Sequence, residues 1–557
     1  MKITMLGKTH AFDSPVTVRE IIAAMSPEYC GTALGCFCGG RALELTEKVD
    51  RDCELHPITY QNEEGRRIYE RSLRFVLLLA LYRVLPESDV RIEHSIGYGV
   101  YMRLLDRDAD QQIVDLLQKE MEKIVAEDLP FIREVWSREK AISYFQGMNR
   151  VDKTRLLAYR PYDYFPIYQC GGIAEYFYGA MLPSTGWVSA FRLRLQGTGM
   201  VLQMPSPADP QHAAAFVSRP KILSTFAQSN RWCDILNVLN AADLNDMIIC
   251  GELPQFIRVN EALHDQSIGE IAQGIFQKRA KAVFVAGPSS SGKTTFSNRL
   301  CIHLRVLGLK PVLVSLDDFY LDRDALPLEA DGQPDLEALS ALDVDLLRSC
   351  VAGLLRGEKV MMPRFDFTVS KRFEQMYPLQ LFDDQILVME GIHGLNPTLH
   401  EGFDPQLISK VYISELTCLN LDHHNRIRTT DARLLRRIVR DHQFRSTPPE
   451  DTLNMWNSVR RGEETWIFPY QEQADFVFNS ALHYELPVLK RYAYDLLKAI
   501  PPEDPVHLSS RRLLKILHYI LPAPDEAMPD IPPLSLLREF IGGCTLYETP
   551  HPSKISQ

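Results

Sequence analysis

One segment of the sequence combines the residue types and the spacing that phosphate binding requires. It reads Gly-Pro-Ser-Ser-Ser-Gly-Lys-Thr from Gly287 to Thr294, with a second threonine, Thr295, directly after it. Two glycines separated by four residues, then lysine and a hydroxyl residue, form the pattern of a P-loop. In such a loop Lys293 would bridge the outer phosphates and Thr294 would bind Mg²⁺. We therefore predict an NTP site rather than a chance glycine-serine turn.

The elements predicted around this segment place it where phosphate binding needs it. The apolar run 282–286 is typical of a buried strand, and apolar residues recur at helical spacing after the loop until Gly308. Backbone N–H groups and the positive end of the helix dipole would then meet a polyphosphate. The predicted nucleotide-binding residues of the loop are Gly287, Ser289, Ser290, Ser291, Gly292, Lys293, Thr294 and Thr295.

Carboxylates end two further predicted strands. The run 311–316 leads into Asp317 and Asp318, and the run 385–390 ends at Glu390. The carboxyl ends of parallel strands face the ligand crevice of an open α/β sheet. One aspartate could accept the proton of an attacking hydroxyl, and Glu390 could serve as the Mg²⁺ partner opposite Thr294. The alternative is that the two aspartates only cap the next element.

The densest basic segment is predicted to be a helix within residues 426–445. Its arginines recur at three- and four-residue intervals, and a further arginine follows: Arg433, Arg436, Arg437, Arg440 and Arg445. A solvated, salt-bridged helix is one interpretation. The other is a lid that closes arginines onto ATP phosphates, where one arginine is worth about 10³–10⁵ in rate. Strands alternating with helices through this region predict a doubly wound parallel sheet.

These motifs occur in the order seen in the uridine kinase/phosphoribulokinase family, which the region of about 280–480 resembles. Besides the P-loop they are Asp317-Asp-Phe-Tyr320, Pro363-Arg-Phe-Asp-Phe367, Glu390-Gly-Ile-His393 and Arg433-Leu-Leu-Arg-Arg-Ile-Val-Arg-Asp441. The resemblance implies ATP and Mg²⁺ as cofactors and Asp317 as the base that activates a nucleoside 5′-hydroxyl. It also implies that Arg437, Arg440 and Arg445 are lid arginines, with Lys293, Arg437 and Arg440 assisting catalysis and Arg445 binding ATP.

The resemblance assigns the acceptor side less completely. Asp335 looks like the family's ribose-binding aspartate, and Tyr320, Phe365 and Arg372 complete the predicted substrate-binding set. Where uridine-cytidine kinases use a tyrosine and a histidine near the base, this chain places Phe365 and Ser370, and Thr447 replaces one lid arginine. Base selectivity is therefore less well specified than phosphoryl transfer.

The N-terminal region resembles part of the threonyl-tRNA synthetases. Residues 1–60 are short strand-like runs around a predicted helix at 16–25, in the order of the β-grasp module called TGS, with any small α+β module as the alternative. Residues 61–225 resemble the editing domain that follows it. The segments that carry this likeness are Arg71–Phe75, Ile92–Tyr101, Cys170-Gly-Gly and Leu182–Gly186.

The editing residues themselves are missing. That family places a His-x-x-x-His pair on the helix and a Cys…His pair later, whereas here Arg71 and Phe75 occupy the helix positions and no histidine follows Cys170 before Arg192. Without imidazoles we expect neither a metal site nor a general base. We interpret this domain as catalytically retired and kept for binding, regulation or assembly.

The remaining boundaries follow from helix signals. Residues 226–265 are predicted to be linker helices, and Ser267 and Glu270 fit a capping box that would start a helix running to about Ala280. We place the kinase domain at 266–480. The tail, 481–557, shows amphipathic helix patterns without a catalytic motif, so we expect it to pack against the kinase or to make an oligomer contact.

Bulk properties exclude several classes of protein. The chain has 557 residues, a net charge of −11 and 11 cysteines, none in a Cys-x-x-Cys pair. The charge argues against a general nucleic-acid coat, although nucleic-acid binding by the N-terminal domains stays open. The longest apolar run, 75–82, is too short to span a bilayer, and no signal sequence is evident. We expect a cytoplasmic protein with reduced cysteines, no membrane partner and an undetermined oligomeric state.

Together the motifs predict a multidomain α/β protein: a P-loop kinase domain with a doubly wound parallel sheet, preceded by TGS-like and editing-like domains and followed by a helical tail. The predicted function is transfer of the ATP γ-phosphoryl group to the 5′-hydroxyl of a nucleoside, first uridine and then cytidine, for nucleoside salvage. One alternative is a kinase of another small sugar or alcohol, as in phosphoribulokinases. The other is an RNA- or tRNA-responsive binding module with a regulatory P-loop. A GTPase is disfavoured because no Asn-Lys-x-Asp motif follows the loop.

Overall fold

The N-terminal module is a mixed sheet covered by one helix. The computed structural model describes residues 1–322, 325–326, 328, 335, 337–366, 369 and 371–547. The first elements are β1 (Lys2–Met5), β2 (Lys8–Ala11), β3 (Val16–Thr17), α1 (Val18–Met25), β4 (Ala33–Cys38), β5 (Arg41–Leu43), β6 (Lys48–Val49) and β7 (Cys53–Thr59). Five of the described strands form a sheet in the order β2–β1–β7–β4–β5, with β1 and β7 parallel. A capping box between Thr17 and Glu20 starts α1 at Val18, two residues later than predicted.

Two antiparallel sheets and a long buried helix form the next region. Its elements are α2 (Glu63–Val84), β8 (Val90–Ile96), β9 (Gly99–Leu104), α3 (Gln111–Glu127), β10 (Ile132–Ser137), α4 (Arg138–Gly147), α5 (Val151–Tyr159), β11 (Tyr164–Cys170), β12 (Ile173–Glu175), β13 (Arg192–Gln196), β14 (Gly199–Gln203), β15 (Pro205–Ser206) and β16 (Asp209–Ala213). The sheets have the orders β13–β14–β9–β8 and β10–β11–β12. Helix α2 is buried along most of its length, and its apolar run 75–81 packs in their shared core, as its leucines predict.

Three helices lead to the P-loop strand, and one prediction about them is wrong. They are α6 (Pro220–Leu236), α7 (Ala241–Ile249) and α8 (Leu253–Lys278). The sequence places a helix start at Ser267, whereas α8 begins at Leu253, with proline in its first turn, and passes through Ser267 without interruption. The capping-box residues Ser267 and Glu270 therefore lie in the helix interior. The predicted domain boundary at residue 266 also falls inside this helix.

The middle region is a parallel sheet with helices on both faces. Its elements are β17 (Ala282–Ala286), α9 (Lys293–Val306), β18 (Lys310–Ser315), α10 (Val344–Leu355), β19 (Val360–Met362), β20 (Phe365–Asp366), β21 (Lys371–Arg372), β22 (Tyr377–Leu379), β23 (Gln385–Glu390), β24 (Ile408–Ser414), β25 (Asn420–Asp422), β26 (Asn425–Arg426), α11 (Thr429–Phe444), α12 (Pro449–Trp466) and β27 (Phe476–Asn479). Five described strands pair in parallel in the order β18–β23–β17–β24–β27.

Alternate residues of β17 pack against helices on opposite faces of the sheet. Val283 and Val285 belong to the buried cluster that includes α8 and α9, whereas Ala282 and Phe284 belong to the cluster that includes α10. A parallel strand that is buried on both faces is apolar throughout, which is why this run has no polar residue. The predicted multidomain α/β class with a doubly wound parallel sheet is confirmed.

The C-terminal helices pack against the region of the parallel sheet. They are α13 (Glu485–Lys498), α14 (His507–Leu517) and α15 (Arg538–Ile541). One buried cluster joins their apolar residues to Leu434, Ile438 and Val439 of α11. The tail thus fulfils one of its two expected roles. Within the described ranges, no helix is both long enough and apolar enough to cross a membrane.

Candidate active site

The P-loop has the backbone geometry that its glycines predict. A Cβ on Gly287 would lie 1.9 Å from the carbonyl oxygen of Ile413, so the close approach of β17 to β24 requires glycine at that point. Gly292 has a φ of 86°, in the left-handed region that glycine adopts without strain, and it leads directly into α9. Lys293 donates from Nζ to the carbonyl oxygen of Pro288 at 3.1 Å, across the loop.

Two buried arginines of α11 donate hydrogen bonds to backbone carbonyl oxygens of the loop. Arg433 donates to the carbonyl oxygen of Ser289 at 2.9 Å and pairs with Glu463 at 2.8 Å. Arg436 donates to the carbonyl oxygen of Ser480 at 2.7 Å and pairs with Glu485. Both arginine side chains are almost completely buried. These two residues are structural, whereas the sequence pattern does not separate them from the rest of the arginine series.

The three predicted lid arginines lie together beside the loop. Arg437 donates to the hydroxyl oxygen of Ser289 at 2.9 Å. Arg437, Arg440 and Arg445 all approach the single carboxylate of Asp441, at 3.2, 2.8 and 3.6 Å. The neighbouring charge of Arg440, followed by burial, lowers the pKa of Arg445 to about 10. Glu337 and Glu463 also act electrostatically on Arg437, and Glu539 acts on Arg445, so several carboxylates face the cluster of arginines next to the phosphate-binding loop.

Two carboxylates face Lys293 from neighbouring strands. Asp317 follows β18, and Glu390 ends β23, where it lies opposite Ser315 in the parallel register. The hydroxyl of Ser315 donates to Glu390 at 3.4 Å. Burial raises the pKa of Asp317; the charge of Lys293 opposes this rise, and that of Asp318 adds to it. Burial, followed by the charge of Asp317, raises the pKa of Glu390 to about 7.

The residues of this site fit a magnesium ion bound with phosphate. Carboxylate and hydroxyl oxygens suit Mg²⁺, and a dication would relieve the repulsion between Asp317 and Glu390. The described part of the chain holds no group of three His, Cys, Asp or Glu side chains suited to a metal. Mg²⁺ in phosphate-transfer sites takes one or two protein ligands and fills its shell with water and phosphate oxygens. Thr294 and Glu390 would be those ligands.

Beyond Asp317 the structure forms an aromatic and acidic wall. The rings of Tyr320 and Phe365 lie 5.9 Å apart, and Asp318 accepts the backbone N–H of Phe365 at 3.3 Å. Asp335 accepts the N–H groups of Glu337 and Ala338 at 3.0 and 3.1 Å, so it holds a turn at this wall. Burial, followed by the charge of Glu463, raises the pKa of Glu337 to about 7.

Arg372, a predicted substrate-binding residue, is hydrogen-bonded to other residues of the protein. Its guanidinium donates to the carbonyl oxygens of Tyr320 and Phe319 at 2.7 and 2.8 Å and to Asp343 at 3.0 Å. It therefore positions the segment that follows Asp317. Ser370, predicted to lie near the nucleoside base, falls outside the described residues.

The C-terminal tail contributes residues that the sequence motifs do not indicate. Glu539 of α15 accepts the backbone N–H of Thr295 at 3.3 Å and its hydroxyl at 2.8 Å. The hydroxyl of Tyr547 lies 2.8 Å from the same Thr295 oxygen. A Cβ on Gly292 would lie 2.3 Å from Leu536, so the tail also packs directly on the loop. A carboxylate thus occupies donor groups at the helix N-terminus that would otherwise meet phosphate.

In the editing-like region, Arg71 and Phe75, which occupy the helix positions of the family's histidine pair, make packing and hydrogen-bond contacts. Arg71 donates to the carbonyl oxygen of Tyr178 at 2.6 Å and pairs with Glu64 at 2.7 Å, and the Phe75 ring lies 5.9 Å from that of Phe177. His94 stacks on Phe226 with ring centroids 3.8 Å apart, and burial lowers its pKa to about 3. It is a neutral core histidine.

Two regions of the chain are similar to different groups of known proteins. Residues 282–486 match the model of the Phosphoribulokinase / Uridine kinase family. The N-terminal region resembles threonine–tRNA ligases: that of Azoarcus sp. strain BH72 is 30% identical over 189 residues, covering 34% of this chain and 30% of the ligase. That of Symbiobacterium thermophilum is 29% identical and shares the same 34% of this chain with 29% of its own length. The chain therefore spans about three-tenths of the length of these curated relatives.

A solved structure is similar to part of this chain. A possible uridine kinase from Bacillus stearothermophilus aligns with 38% of this chain and 98% of its own, at 18% identity and a TM-score of 0.27. The predicted resemblance to the uridine kinase/phosphoribulokinase family and to threonyl-tRNA synthetases is confirmed by the matches at the level of sequence.

Proposed function

We propose that this protein transfers the γ-phosphoryl group of ATP to the 5′-hydroxyl of a nucleoside, with uridine as the first expected acceptor. The observation that carries the proposal is the position of Asp317. It stands at the carboxyl end of β18, two strands from the P-loop strand, and it interacts electrostatically with Lys293. A carboxylate beside the phosphate cradle is what a kinase needs to deprotonate its acceptor, and the P-loop alone does not require one.

The donor side is supported by charge. Lys293 and the cluster of Arg437, Arg440 and Arg445 place four positive charges around the loop, and Asp441 pairs with all three arginines. Guanidinium groups placed there stabilise charge on the equatorial oxygens of a transferring phosphoryl group. Mg²⁺, which Thr294 and Glu390 would hold, would supply positive charge that neutralises part of the phosphate charge.

The raised pKa of Asp317 suits a general base. An ionised carboxylate with a higher pKa takes a proton more readily, and its efficiency increases as its pKa approaches the working pH. The charge of Lys293 keeps the ionised form accessible because it lowers the pKa against the effect of burial. Asp317 would therefore receive the hydroxyl proton while Lys293 and the arginines hold the phosphates.

The acceptor wall favours an uncharged acceptor. Asp317, Asp335 and Glu337 are the carboxylates that act electrostatically on Tyr320, and all of them raise its pKa after burial. Arg372, the arginine of this wall predicted to bind substrate, is held by Asp343 and backbone carbonyls. Acidic groups repel an acceptor that already carries phosphate, as ribulose 5-phosphate does. The aromatic pair of Tyr320 and Phe365 offers a face on which a planar base can stack.

A panel of acceptors tests the proposal. Purified full-length protein with ATP and Mg²⁺ is offered uridine, cytidine, adenosine, ribulose 5-phosphate and glycerate, and product is followed by ³¹P NMR. The expected result is a nucleoside 5′-monophosphate from uridine or cytidine. Phosphorylation of ribulose 5-phosphate or glycerate alone would refute the nucleoside assignment. No turnover of any acceptor, together with tight tRNA binding at physiological salt, would favour the binding-module alternative.

A further inference from the structure

A cavity lined by residues outside the P-loop and the predicted active site lies between three parts of the chain. It has a volume of about 120 Å³. Its walls come from the N-terminal module (Arg41, Glu44 and Glu47), from the editing-like region (α2, β10, β11 and the segment 177–180), and from α14 of the C-terminal tail. The cavity therefore exists only when these three regions are assembled.

The lining carries an excess of positive charge. Six cationic side chains face three carboxylates: Arg41, Arg71, Arg133, Arg511, Arg512 and Lys515 against Glu44, Glu47 and Glu64. Three of the cations are neutralised locally, because Arg41 pairs with Glu47 at 2.8 Å, Arg71 with Glu64 at 2.7 Å and Arg512 with Asp431 at 3.0 Å. Glu44 is engaged by the hydroxyl of Tyr168 and the N–H of Met181, and burial raises its pKa.

Three cations of the cavity make no ion pair with a described carboxylate, although Arg133 acts electrostatically on Glu44 and Glu64 acts on Lys515. Arg133, Arg511 and Lys515 have no carboxylate within 4.0 Å among the residues that the structure describes. Lys515 shows the consequence: burial, followed by the charges of Arg511 and Arg71, lowers its pKa to about 7, and Glu64 only partly opposes this. Cations from separate elements that converge on one concave surface are an arrangement that an anion stabilises.

The size of the cavity restricts the anion. Sites for drug-sized ligands have volumes of about 300–1,000 Å³, so this cavity is too small to enclose a whole nucleotide. A phosphate group fits, and Arg133 and Arg511 supply the planar donors that pair with phosphate oxygens. Arg133 and Arg511 are exposed residues. A larger molecule whose phosphate group occupied the cavity could therefore extend past them into solvent. We propose that this cavity binds a phosphate-type dianion, either inorganic phosphate or the terminal phosphate of a larger molecule, between Arg133, Arg511 and Lys515.

Sulfate is the first probe because it does not titrate near neutral pH. Sulfate also binds at helix N-termini such as the P-loop, so the titrations use the Lys293→Ala variant throughout. Isothermal titration at constant ionic strength compares that variant with Lys293→Ala/Lys515→Gln and with Lys293→Ala/Lys119→Gln, where Lys119 is an exposed lysine of α3. We expect one saturable site that is weakened about tenfold or more by Lys515→Gln and unchanged by Lys119→Gln.

The pH dependence gives a second, independent readout. Charged groups facing Lys515 are Arg511 of α14, Arg71 and Glu64 of α2, and Arg133 of β10. A bound anion favours protonated Lys515, so sulfate affinity should fall about tenfold between pH 6 and pH 8, and this dependence should disappear in Lys515→Gln. Sulfate affinity that is independent of pH, or equal in the two lysine variants, would overturn the proposal.

Two further experiments locate the bound anion and distinguish inorganic phosphate from the phosphate of a larger molecule. Crystals soaked in selenate should show an anomalous peak between Arg133, Arg511 and Lys515, and a peak at the P-loop only would refute the site. Inorganic phosphate and a mononucleotide are then titrated in parallel. Binding that is lost in Lys293→Ala/Lys515→Gln is assigned to the cavity: if this component is tighter for the mononucleotide, the ligand is a terminal phosphate, and if it is tighter for inorganic phosphate, the ligand is the free ion.

Discussion

The carboxylate of Glu539 should compete with ATP for the P-loop. It accepts the N–H and the hydroxyl of Thr295 at the start of α9. Substituting glutamine keeps the shape of the side chain and removes its charge. We therefore predict that Glu539→Gln binds ATP more tightly than the wild-type protein.

The size of the effect follows from the contacts. A hydrogen bond to a charged group contributes about 1.5–3 kcal/mol, and one to a neutral group about 0.5–1.5 kcal/mol. Nucleotide binding must replace the 2.8 Å bond from the Thr295 hydroxyl and the longer 3.3 Å bond from its N–H. Lowering that cost by about 1.4 kcal/mol decreases Kd about tenfold. Loss of the repulsion between Glu539 and phosphate acts in the same direction.

Calorimetric titration of a non-hydrolysable ATP analogue with Mg²⁺ measures this change. Glu503→Gln is the matched control, since Glu503 is an exposed carboxylate of the same tail. Tyr547→Phe removes the other contact to Thr295 without changing charge, so its effect should be smaller. Equal or weaker binding by Glu539→Gln, in a variant with the wild-type melting temperature, would refute the competition.

Two further predictions concern stability. Glu390 has a pKa of about 7 in the folded protein, above its unfolded value of about 4.3, so the folded state binds this proton more tightly and stability falls as pH rises from 4 to 7. Glu390→Gln should therefore raise the melting temperature of nucleotide-free protein more at pH 8 than at pH 5; an equal change at both values would contradict this. Arg433→Met leaves buried Glu463 with Arg460, at 2.7 Å, and the backbone N–H of Ser289, at 3.2 Å, so we expect destabilisation of about 3 kcal/mol in urea unfolding. Arg231→Met, an exposed control, should have almost no effect, and equal unfolding midpoints of the two variants would refute a structural role of Arg433.

The donor half of the site could be predicted because its signals are local. A P-loop needs glycine at fixed positions, a strand before it and a helix after it, and residues 282–308 contain all three. Asp317 and Glu390 could be located in the same way, since each follows an apolar strand of a parallel sheet.

The remainder depends on long-range contacts that no local pattern encodes. Arg433 and Arg437 have the same spacing signal, yet one is buried against Glu463 and the other reaches the Ser289 hydroxyl. Glu539 lies more than 240 residues after Thr295, in a helix of four residues, so nothing in its surroundings indicates the contact. Ser267 and Glu270 fit a capping pattern and so predict a helix start at Ser267. This prediction is wrong because α8 begins at Leu253 and continues through both residues.

The most direct test of the account measures single-turnover phosphoryl transfer by Asp317→Asn. Any nucleoside that the wild-type protein phosphorylates is used, with ATP and Mg²⁺. Asp317→Asn should keep ATP affinity within about threefold of wild type and lose at least about 10² in the transfer rate, because a general base contributes about 10²–10⁴. Lys293→Ala should instead lose ATP binding itself. A transfer rate for Asp317→Asn within about tenfold of the wild type would contradict the assignment of Asp317 as the base.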